Sequence, residues 1–448
     1  MHSTLIDNRF LGSLFSTVAM RAVFADTATL ARYTDTEIAL AKAQGQLGLI
    51  PADAAQAIAQ QAHQISLDMD RLQRETHNVG YPILPLVHQL AEGLGAAGKY
   101  LHWGATTQDI MDTALVLQIR QGLDLLEQDL RAISVQLRRL SQTYRDTPMA
   151  GRTHLQHALP TTFGLKTAIW LGMVERNLAR LQQLRPRVLV GQFAGAGGTL
   201  ASLGDRGLDV QTEMMKVLGL GVPDTTWHTA RDGLAETAQW LGLVTMSLGK
   251  MTLDVSLMMA NEFSEVFEPF VQGRGASSTM PQKRNPISCE VMIGAAKTVR
   301  HLAGLALDGA VQDFERATGP WQAEWVALPE AFLHTAGAVS QALFMLSGLE
   351  VDPARMRHNL DSTGGLIVAE AVMMGLAPDL GRNEAHDVVY AACRQALEHK
   401  RTLAEVLKSM PAVTQHVGAD RIDFLCDPIN YLGTAPQMVD RALQLPAH

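Results

Sequence analysis

The stretch TALVLQIRQGLDLLEQDLRAISVQLRRLSQTY, residues 113–144, carries a regular apolar repeat that decides the fold. Its apolar residues alternate between spacings of four and three positions, the pattern of a long helix with one narrow apolar seam. The seam consists of Ile119, Leu123, Leu126, Leu130, Ile133, Leu137 and Leu140. We therefore expect a single long helix from Thr113 to Tyr144.

Two other stretches predict long helices of the same kind. One lies in AQWLGLVTMSLGKMTLDVSLMM, with apolar positions Leu241, Val244, Leu248, Met251, Val255 and Met258. The other follows Pro160 and contains Lys166, Ile169, Trp170, Met173, Leu178 and Leu181. Such helices usually pack side by side in a bundle, and the Gly- and Pro-containing connectors between them disfavour an isolated coiled coil.

The predicted fold class is therefore mainly α, an elongated central bundle of long helices flanked by two smaller helical domains. Alternating apolar strands are scarce, so we expect little sheet. Changes in composition near AGKYLHWGATTQD and LEVDPARMRHNLDSTGGL place the boundaries of three domains. These are an N-terminal helical domain over 1–105, the central bundle over 106–350 and a C-terminal helical domain over 351–448.

Composition excludes several classes of protein. Apolar residues make up 47% of the chain and charged residues 18%, a balance that favours an oligomer with large buried surfaces. The net charge of −8, without a long basic run, disfavours nucleic-acid binding. No stretch of about 18 apolar residues lacks a charge, so no membrane span is predicted. Three widely spaced cysteines without a CxxC pair favour the reducing cytoplasm over a structural zinc site.

Three polar segments adjoin the ends of the predicted long helices. The first polar segment is GATTQDIMDT (104–113), the second is GRTHLQHALP (151–160), and the serine loop is GASSTMPQKRNP (275–286). Helix N-termini present free backbone N–H groups to anions, so these segments are suited to bind a polycarboxylate.

Structural readings of the same segments remain open. Thr107 or Asp109 would also serve as a helix cap. His154 and His157 would also fit a turn in which they face solvent or bond a backbone carbonyl, and no third ligand accompanies them, so no metal site is predicted. Ser277 would act as a base only with donors or cations nearby, which loop N–H groups and Lys283 could supply. Lys283 could instead bind a substrate carboxylate.

The serine loop resembles the signature G-x-S-S-x-M-P-x-K-x-N-P of the fumarase/aspartase superfamily. The other two segments are similar to that superfamily's remaining signature regions, in the same order. The resemblance implies a homotetramer that gathers each active site from three subunits. It implies catalytic roles for Ser277, His154 and Lys283, and substrate contacts by His77, Thr106, Thr107, Gln108, Arg152, Thr153, Ser278, Met280 and Asn285. Ser278 is the alternative base.

The branch within the superfamily is less clearly defined. HWGATTQDIMDTALVLQIR, WHTARD and DPINYLGTA look most like 3-carboxy-cis,cis-muconate cycloisomerases, which form a lactone. His154 and His77, however, resemble the histidines of adenylosuccinate lyase, and two histidines suit the expulsion of a nitrogen leaving group. His77 would equally fit a surface or core position.

The sequence thus predicts a lyase that eliminates an amine from an N-substituted aspartate-like polycarboxylate and releases fumarate, through an anti elimination. The alternative is the cycloisomerase, and a catalytically silent structural homologue is disfavoured by the intact Ser277, Lys283 and His154. Arg152, Arg284 and Arg316 are additional candidates for binding a carboxylate. No cofactor is expected, since the glycines of GQFAGAGG (191–198) follow no apolar strand and do not form a dinucleotide fingerprint.

Overall fold

A computed structural model describes residues 4–445, which fold mainly into α-helix. This confirms the predicted fold class. The first helices are α1 (Gly12–Phe15), α2 (Val18–Phe24), α3 (Asp26–Gln46), α4 (Ala52–Gln61), α5 (Met69–Val79), α6 (Ile83–Leu94), α7 (Thr107–Thr143), α8 (Phe163–Val188), α9 (Gly207–Leu218) and α10 (Asp232–Met258). They are followed by α11 (Ile287–Gly309), α12 (Pro320–Ser347), α13 (Pro353–Asp361), α14 (Ala369–Leu380), α15 (Arg382–His399), α16 (Leu403–Ser409), α17 (Pro411–Thr414), α18 (Ala419–Cys426) and α19 (Ala435–Leu443).

Sheet is confined, in the described residues, to two short antiparallel pairs. Strand β1 (Pro148–Thr153) pairs with β2 (Gln156–Thr162), and β3 (Val266–Phe267) pairs with β4 (Glu350–Val351). The second polar segment is therefore largely a β-hairpin. Short 3₁₀ helices cover Ala62–Gln64, Gly95–Tyr100, Ala201–Arg206, Leu366–Val368 and Pro428–Tyr431.

The predicted seam of α7 is buried along its whole length, since none of its seven apolar residues is more than 1% exposed. The helix begins at Thr107, six positions before the predicted start. The reason is the Asp109 carboxylate, which accepts a hydrogen bond from the Thr106 backbone N–H at 3.0 Å and so satisfies a donor at the helix start.

The other two predicted helices are also present. All six apolar positions predicted for α10 are buried. In α8, Trp170, Leu178 and Leu181 are buried, but Ile169 is 52% exposed and so lies outside the seam of the single chain. Helix α10 is apolar enough to span a membrane by composition, yet half of its apolar window is buried within the chain, as in the core helix of a globular protein.

The chain divides into two compact units. The first consists of Met1–Asp129, Asn177–Leu248 and Val291–Ser340, and the second of Leu130–Arg176, Gly249–Glu290 and Gln341–His448. In the first unit, α3 to α6 and the start of α7 share one apolar core, and α3, α7 and α9 share another. In the second unit, α14 to α18 enclose their own core. The three consecutive domains expected from the sequence remain a prediction.

Candidate active site

The first polar segment lies in the first unit, where Asp109 holds it in place. One Asp109 oxygen accepts hydrogen bonds from the Ala194 backbone N–H at 2.9 Å and contacts His228 Nε2 at 2.8 Å. The other accepts from the backbone N–H groups of Gly195 at 2.9 Å and Thr106 at 3.0 Å. A single buried carboxylate thus ties the glycine-containing connector 191–198 to the start of α7.

Arg316 closes over the same segment. Its guanidinium donates to Thr106 Oγ at 3.1 Å and to the Ala196 carbonyl at 3.3 Å. Among residues 4–445 it has no carboxylate partner, and its Nε is buried without a hydrogen bond. A guanidinium with free donors next to the segment is suited to bind a substrate carboxylate.

Gln108 is fully buried within the chain, unlike its neighbour Thr107, which is half-buried. The Gln108 amide donates to the His228 carbonyl at 2.8 Å, and its Oε1 has no partner among the described residues. The Gln108 amide nitrogen therefore holds the segment around His228, while the amide oxygen is available to accept a hydrogen bond.

The segment WHTARD (227–232) supplies two residues that the sequence prediction missed as parts of the site. His228 contacts Asp109, and Arg231 donates to both Asp112 oxygens at 2.6 and 2.9 Å. Arg231 also pairs with Glu324 at 2.5 Å; burial raises the pKa of that carboxyl although Arg231 opposes the shift. Asp109 and Asp112 are three positions apart, and so are their partners His228 and Arg231. This matched spacing is the sequence signal that could have revealed the two pairs.

His102 is a third residue that the prediction missed. Its Nδ1 lies 2.5 Å from the buried Glu37 carboxylate, which also accepts the His102 backbone N–H at 3.1 Å. Burial lowers the pKa of His102, but the charge and hydrogen bond of Glu37, assisted by the charge of Asp109, raise it by more. The net effect is a raised pKa, which favours an imidazolium two residues before the first polar segment.

The second polar segment lies in the second unit and presents His154 at the tip of the β1–β2 hairpin. Thr153 pairs with Gln156, so His154 and Leu155 alone form the turn, with φ values of 52° and 63°. Two positive φ angles are typical of a type I′ turn, which favours Asn and Gly. Thr153, His154 and Leu155 are all exposed in the single chain. Strained backbone that displays a histidine is a feature of functional sites.

Arg152 is held within the protein rather than free. Its guanidinium donates to both oxygens of the fully buried Glu265 at 2.7 and 3.0 Å and lies over the Phe263 ring. Nearby His157 has a lowered pKa, because burial and the charge of Arg152 outweigh the opposing charge of Glu265. This geometry favours a structural role for Arg152.

The serine loop, also in the second unit, is closed at its base. The Asn285 backbone N–H donates to the Gly275 carbonyl at 3.0 Å, and Ala276 forms a bridge with Arg284. Gly275 has a φ of 67°, and a Cβ there would lie 2.6 Å from the Asn285 carbonyl oxygen, so only glycine fits. Arg284 itself pairs with Glu350 at 3.0 Å, which satisfies its charge.

Ser277 accepts two backbone hydrogen bonds within this loop. The N–H of Thr279 donates to Ser277 Oγ at 3.2 Å and that of Met280 at 3.0 Å. Two amide donors aimed at one oxygen stabilise negative charge on it. Ser278, Met280 and Lys283 are exposed in the single chain, and Asn285 is half-buried.

His77 is exposed in the last turn of α5, with no hydrogen-bonding or ionic partner among the described residues. The structure thus groups Thr106 and Gln108 with Arg316 and His228 in one unit. The second polar segment and the serine loop belong to the other unit.

Comparisons with known proteins agree with this fold. A family model described as Lyase matches residues 16–300, and one described as Adenylosuccinate lyase C-terminus matches 365–442. A solved structure of a fumarate lyase from Mesorhizobium sp. BNC1 is 54% identical, with a TM-score of 0.92 over 96% of this chain and 99% of that one.

Two curated relatives carry different activities in their names. A 3-carboxy-cis,cis-muconate cycloisomerase of Pseudomonas aeruginosa is 46% identical, over 97% of this chain and 96% of its own. An N-acetyl-S-(2-succino)cysteine lyase of Dickeya dadantii is 40% identical, over 99% of this chain and 98% of its own.

The helical fold, the three polar segments and these matches define an enzyme of the lyase class. The chain belongs to the fumarase/aspartase superfamily of lyases, as its sequence signature predicted. Enzymes of this superfamily act on small polycarboxylates.

Proposed function

We propose that the protein eliminates an amine from an N-substituted aspartate-like polycarboxylate and releases fumarate. The observation that carries this proposal is the pair of backbone N–H groups on Ser277 Oγ, in a loop that matches the superfamily signature. The fumarate lyase at 54% identity supports a fumarate-forming reaction. The relative named for N-acetyl-S-(2-succino)cysteine supports elimination of a substituent from the second carbon of a succinate.

In the proposed reaction, Ser277 Oγ as an alkoxide removes a proton from the carbon next to a substrate carboxylate. The electron pair of that C–H bond moves into the carboxylate and forms an aci-carboxylate dianion. The Thr279 and Met280 amides stabilise the alkoxide before the transfer, and the Lys283 ammonium adds positive charge on the same loop.

The dianion then collapses by expelling nitrogen from the neighbouring carbon, which forms the double bond of fumarate. The departing amine needs a proton, and His154 is our candidate donor. His154 is exposed on the strained turn, and its ring has no partner within the described chain. A proton therefore passes from His154 to nitrogen, while Ser277 keeps the proton taken from carbon.

Arg316, Lys283 and Asn285 are the proposed partners of the substrate carboxylates. Of the three candidate arginines, Arg316 alone has no carboxylate partner within residues 4–445. The further substrate contacts that we propose are Thr106, Thr107, Gln108, Thr153, Ser278 and Met280. Arg152 and His77 stay in the proposal as weaker candidates, since Arg152 is already paired with Glu265.

We also propose that the active sites form in a homotetramer in the cytoplasm. Helix α10 exposes an apolar stripe that is distinct from its buried seam, consisting of Leu243, Met246, Leu253 and Leu257, each at least 38% exposed. With Lys250 between them, these positions alternate by three and four, which suits packing against helices of other copies. The described cysteines are free thiols, as in a reducing compartment.

The alternative function is that of a 3-carboxy-cis,cis-muconate cycloisomerase. It is favoured by the 46% identity to the Pseudomonas aeruginosa enzyme over nearly the whole chain. The same base and carboxylate partners would serve a lactone-forming reaction, which has no departing amine and places less demand on His154.

A substrate panel distinguishes these proposals. The purified enzyme is incubated with N-substituted aspartates, an S-(2-succino) thioether and 3-carboxymuconate, while fumarate release and loss of diene absorbance are followed separately. Fumarate from an N-substituted aspartate supports the amine lyase. Turnover of 3-carboxymuconate alone would favour the cycloisomerase. Release of fumarate from the thioether alone would mean that the enzyme cleaves a C–S bond rather than a C–N bond.

A further inference from the structure

A cavity of about 380 Å³ lies in the first unit, and none of the proposed catalytic or substrate-binding residues lines it. Aromatic side chains form much of its wall, namely Phe24, Tyr33, Trp321 and Trp325. Its volume falls within the range of roughly 300–1,000 Å³ that is typical of small-molecule sites.

The polar part of the wall carries an excess of negative charge. Asp112 and Glu324 both line the cavity and are almost fully buried, and the buried Arg231 between them is their shared cationic partner. Trp321 Nε1 also donates to Asp112 at 3.3 Å, and the Gln312 amide donates to Glu324 at 3.2 Å, so each carboxylate has hydrogen-bond partners. When both are ionised, two carboxylates share one guanidinium, and a cation in the cavity would stabilise the buried negative charge that Arg231 does not balance.

The Tyr33 hydroxyl is a second, independent feature of this cavity. Tyr33 is only 8% exposed and lines the cavity, yet its hydroxyl has no hydrogen-bond partner within residues 4–445. Burial, assisted by the charge of Asp112, raises the pKa of Tyr33 to about 12, so the phenol stays neutral. Because this oxygen faces the cavity without a partner, it is available to accept a hydrogen bond from a molecule bound there.

We propose that this cavity binds a small primary ammonium compound with an apolar body. The carboxylates supply the opposite charge and the Tyr33 oxygen accepts an N–H. The faces of Trp321 and Trp325 attract a cation through their π electrons. Met111, Leu115 and Pro329 provide apolar surface for the remainder of the ligand. Met111 and Asp112 belong to the first polar segment, but the residues proposed to catalyse the reaction and to bind its carboxylates lie outside the cavity lining, so this site goes beyond the proposed reaction.

The competing way to remove the excess charge is protonation of Glu324. Burial raises the pKa of this carboxyl, so a neutral Glu324 would leave the cluster balanced without a ligand. In that case the cavity would have no preference for a cation over a neutral molecule of the same shape. The comparison of two such molecules therefore decides between the two outcomes.

Benzylammonium and benzyl alcohol provide that comparison, because they share a size and an apolar body and differ in charge. Binding of each to the full-length protein is measured by isothermal titration calorimetry at pH 7, without substrate. We expect benzylammonium to bind at least tenfold more tightly, which corresponds to about 1.4 kcal/mol. Equal affinities, or no detectable binding of benzylammonium, would overturn the proposal.

Variants locate the binding in this cavity. Tyr33→Phe removes only the hydroxyl without a partner, so it should fold normally and weaken benzylammonium binding by roughly threefold or more. Trp325→Ala removes an aromatic wall but leaves the pairs of Arg231 intact, and it should weaken binding further. Tyr390→Phe and Trp103→Ala, which alter exposed rings outside the cavity, are the matched controls.

Affinities that Tyr33→Phe and Trp325→Ala leave unchanged would exclude this cavity as the site. Affinities that fall equally in the control variants would exclude it as well. The measurement does not depend on turnover, so it can succeed in a protein that lacks the proposed lyase activity and can fail in one that has it.

Discussion

His102 is subject to two opposing effects, because burial lowers its pKa and the Glu37 carboxylate raises it by more. The net raised pKa has a defined consequence for stability. The His102–Glu37 pair contributes fully below the unfolded histidine pKa of about 6.5, and this contribution is lost as the pH rises through the higher folded pKa.

Replacing Glu37 by glutamine tests this prediction. Glu37→Gln keeps a hydrogen-bond acceptor but removes the charge, so burial should then lower the pKa of His102 relative to the natural protein. The measurement is an NMR titration of the His102 ring in both proteins. An unchanged or higher pKa in the variant would contradict the assigned cause.

Arg316 and Arg152 should respond differently to removal of the guanidinium. Arg316→Met should lower kcat/KM roughly 10- to 100-fold with little loss of stability, because Arg316 lacks a carboxylate partner in the described chain. Arg152→Met should instead destabilise the fold by about 3–5 kcal/mol, since it leaves Glu265 buried without its cation.

Steady-state kinetics and thermal unfolding of the two variants provide the check. The assignment would be wrong if Arg152→Met were stable and inactive while Arg316→Met kept full activity. Sequence alone could not separate these arginines, because the partners of Arg152 and Arg284 lie 113 and 66 positions away along the chain. The serine loop was predictable, since its residues are contiguous and match a specific signature.

At the scale of elements, the hairpin that displays His154 stores strain at its second turn residue. Leu155 has a positive φ but is 75% exposed, so its side chain contributes little packing. Leu155→Gly should therefore raise the free energy of unfolding by roughly 0.5–1 kcal/mol, as relief of about 1–2 kcal/mol of strain exceeds the entropic cost of glycine.

Leu159→Gly is the matched control for this prediction. Leu159 lies in β2 of the same hairpin and is 38% exposed, without a positive φ. The free energy of unfolding of Leu159→Gly, measured by urea denaturation, should be lower than that of the natural protein by roughly 0.5–1 kcal/mol. Equal losses in both variants would mean that the turn carries no strain.

The long helices were predictable and the hairpin was not, for a physical reason. The seam of α7 repeats over many turns, so its period is unmistakable and its burial follows. Strands β1 and β2 are 6 and 7 residues long and have no turn pair such as Asn-Gly. Their pairing depends on tertiary context, including Arg152 and its distant partner Glu265.

At the scale of the whole molecule, the exposed stripe of α10 supports the proposed homotetramer. Leu253→Glu places a charge in the middle of this stripe, where it would be buried against another copy. Light scattering should give about four times the chain mass of 48.6 kDa for the natural protein and a smaller species for the variant.

Met374→Glu is the control, because it places the same charge on an exposed apolar residue of α14. This variant should keep the mass of the natural protein. A natural protein of one chain mass, or a Leu253→Glu variant of unchanged mass, would contradict the proposed interface. Composition suggested an oligomer, but only the structure distinguishes the exposed stripe from the buried seam of the same helix.

The central claim is that Ser277 removes the proton, and the turnover number of Ser277→Ala tests it most directly. With a substrate identified by the panel, kcat should fall by roughly 10²- to 10⁴-fold, the range of general-base catalysis. Ser278→Ala should stay within about tenfold of the natural enzyme, since its exposed hydroxyl has no hydrogen-bond partner within residues 4–445. A Ser277→Ala enzyme that turns over at the natural rate would contradict the mechanism.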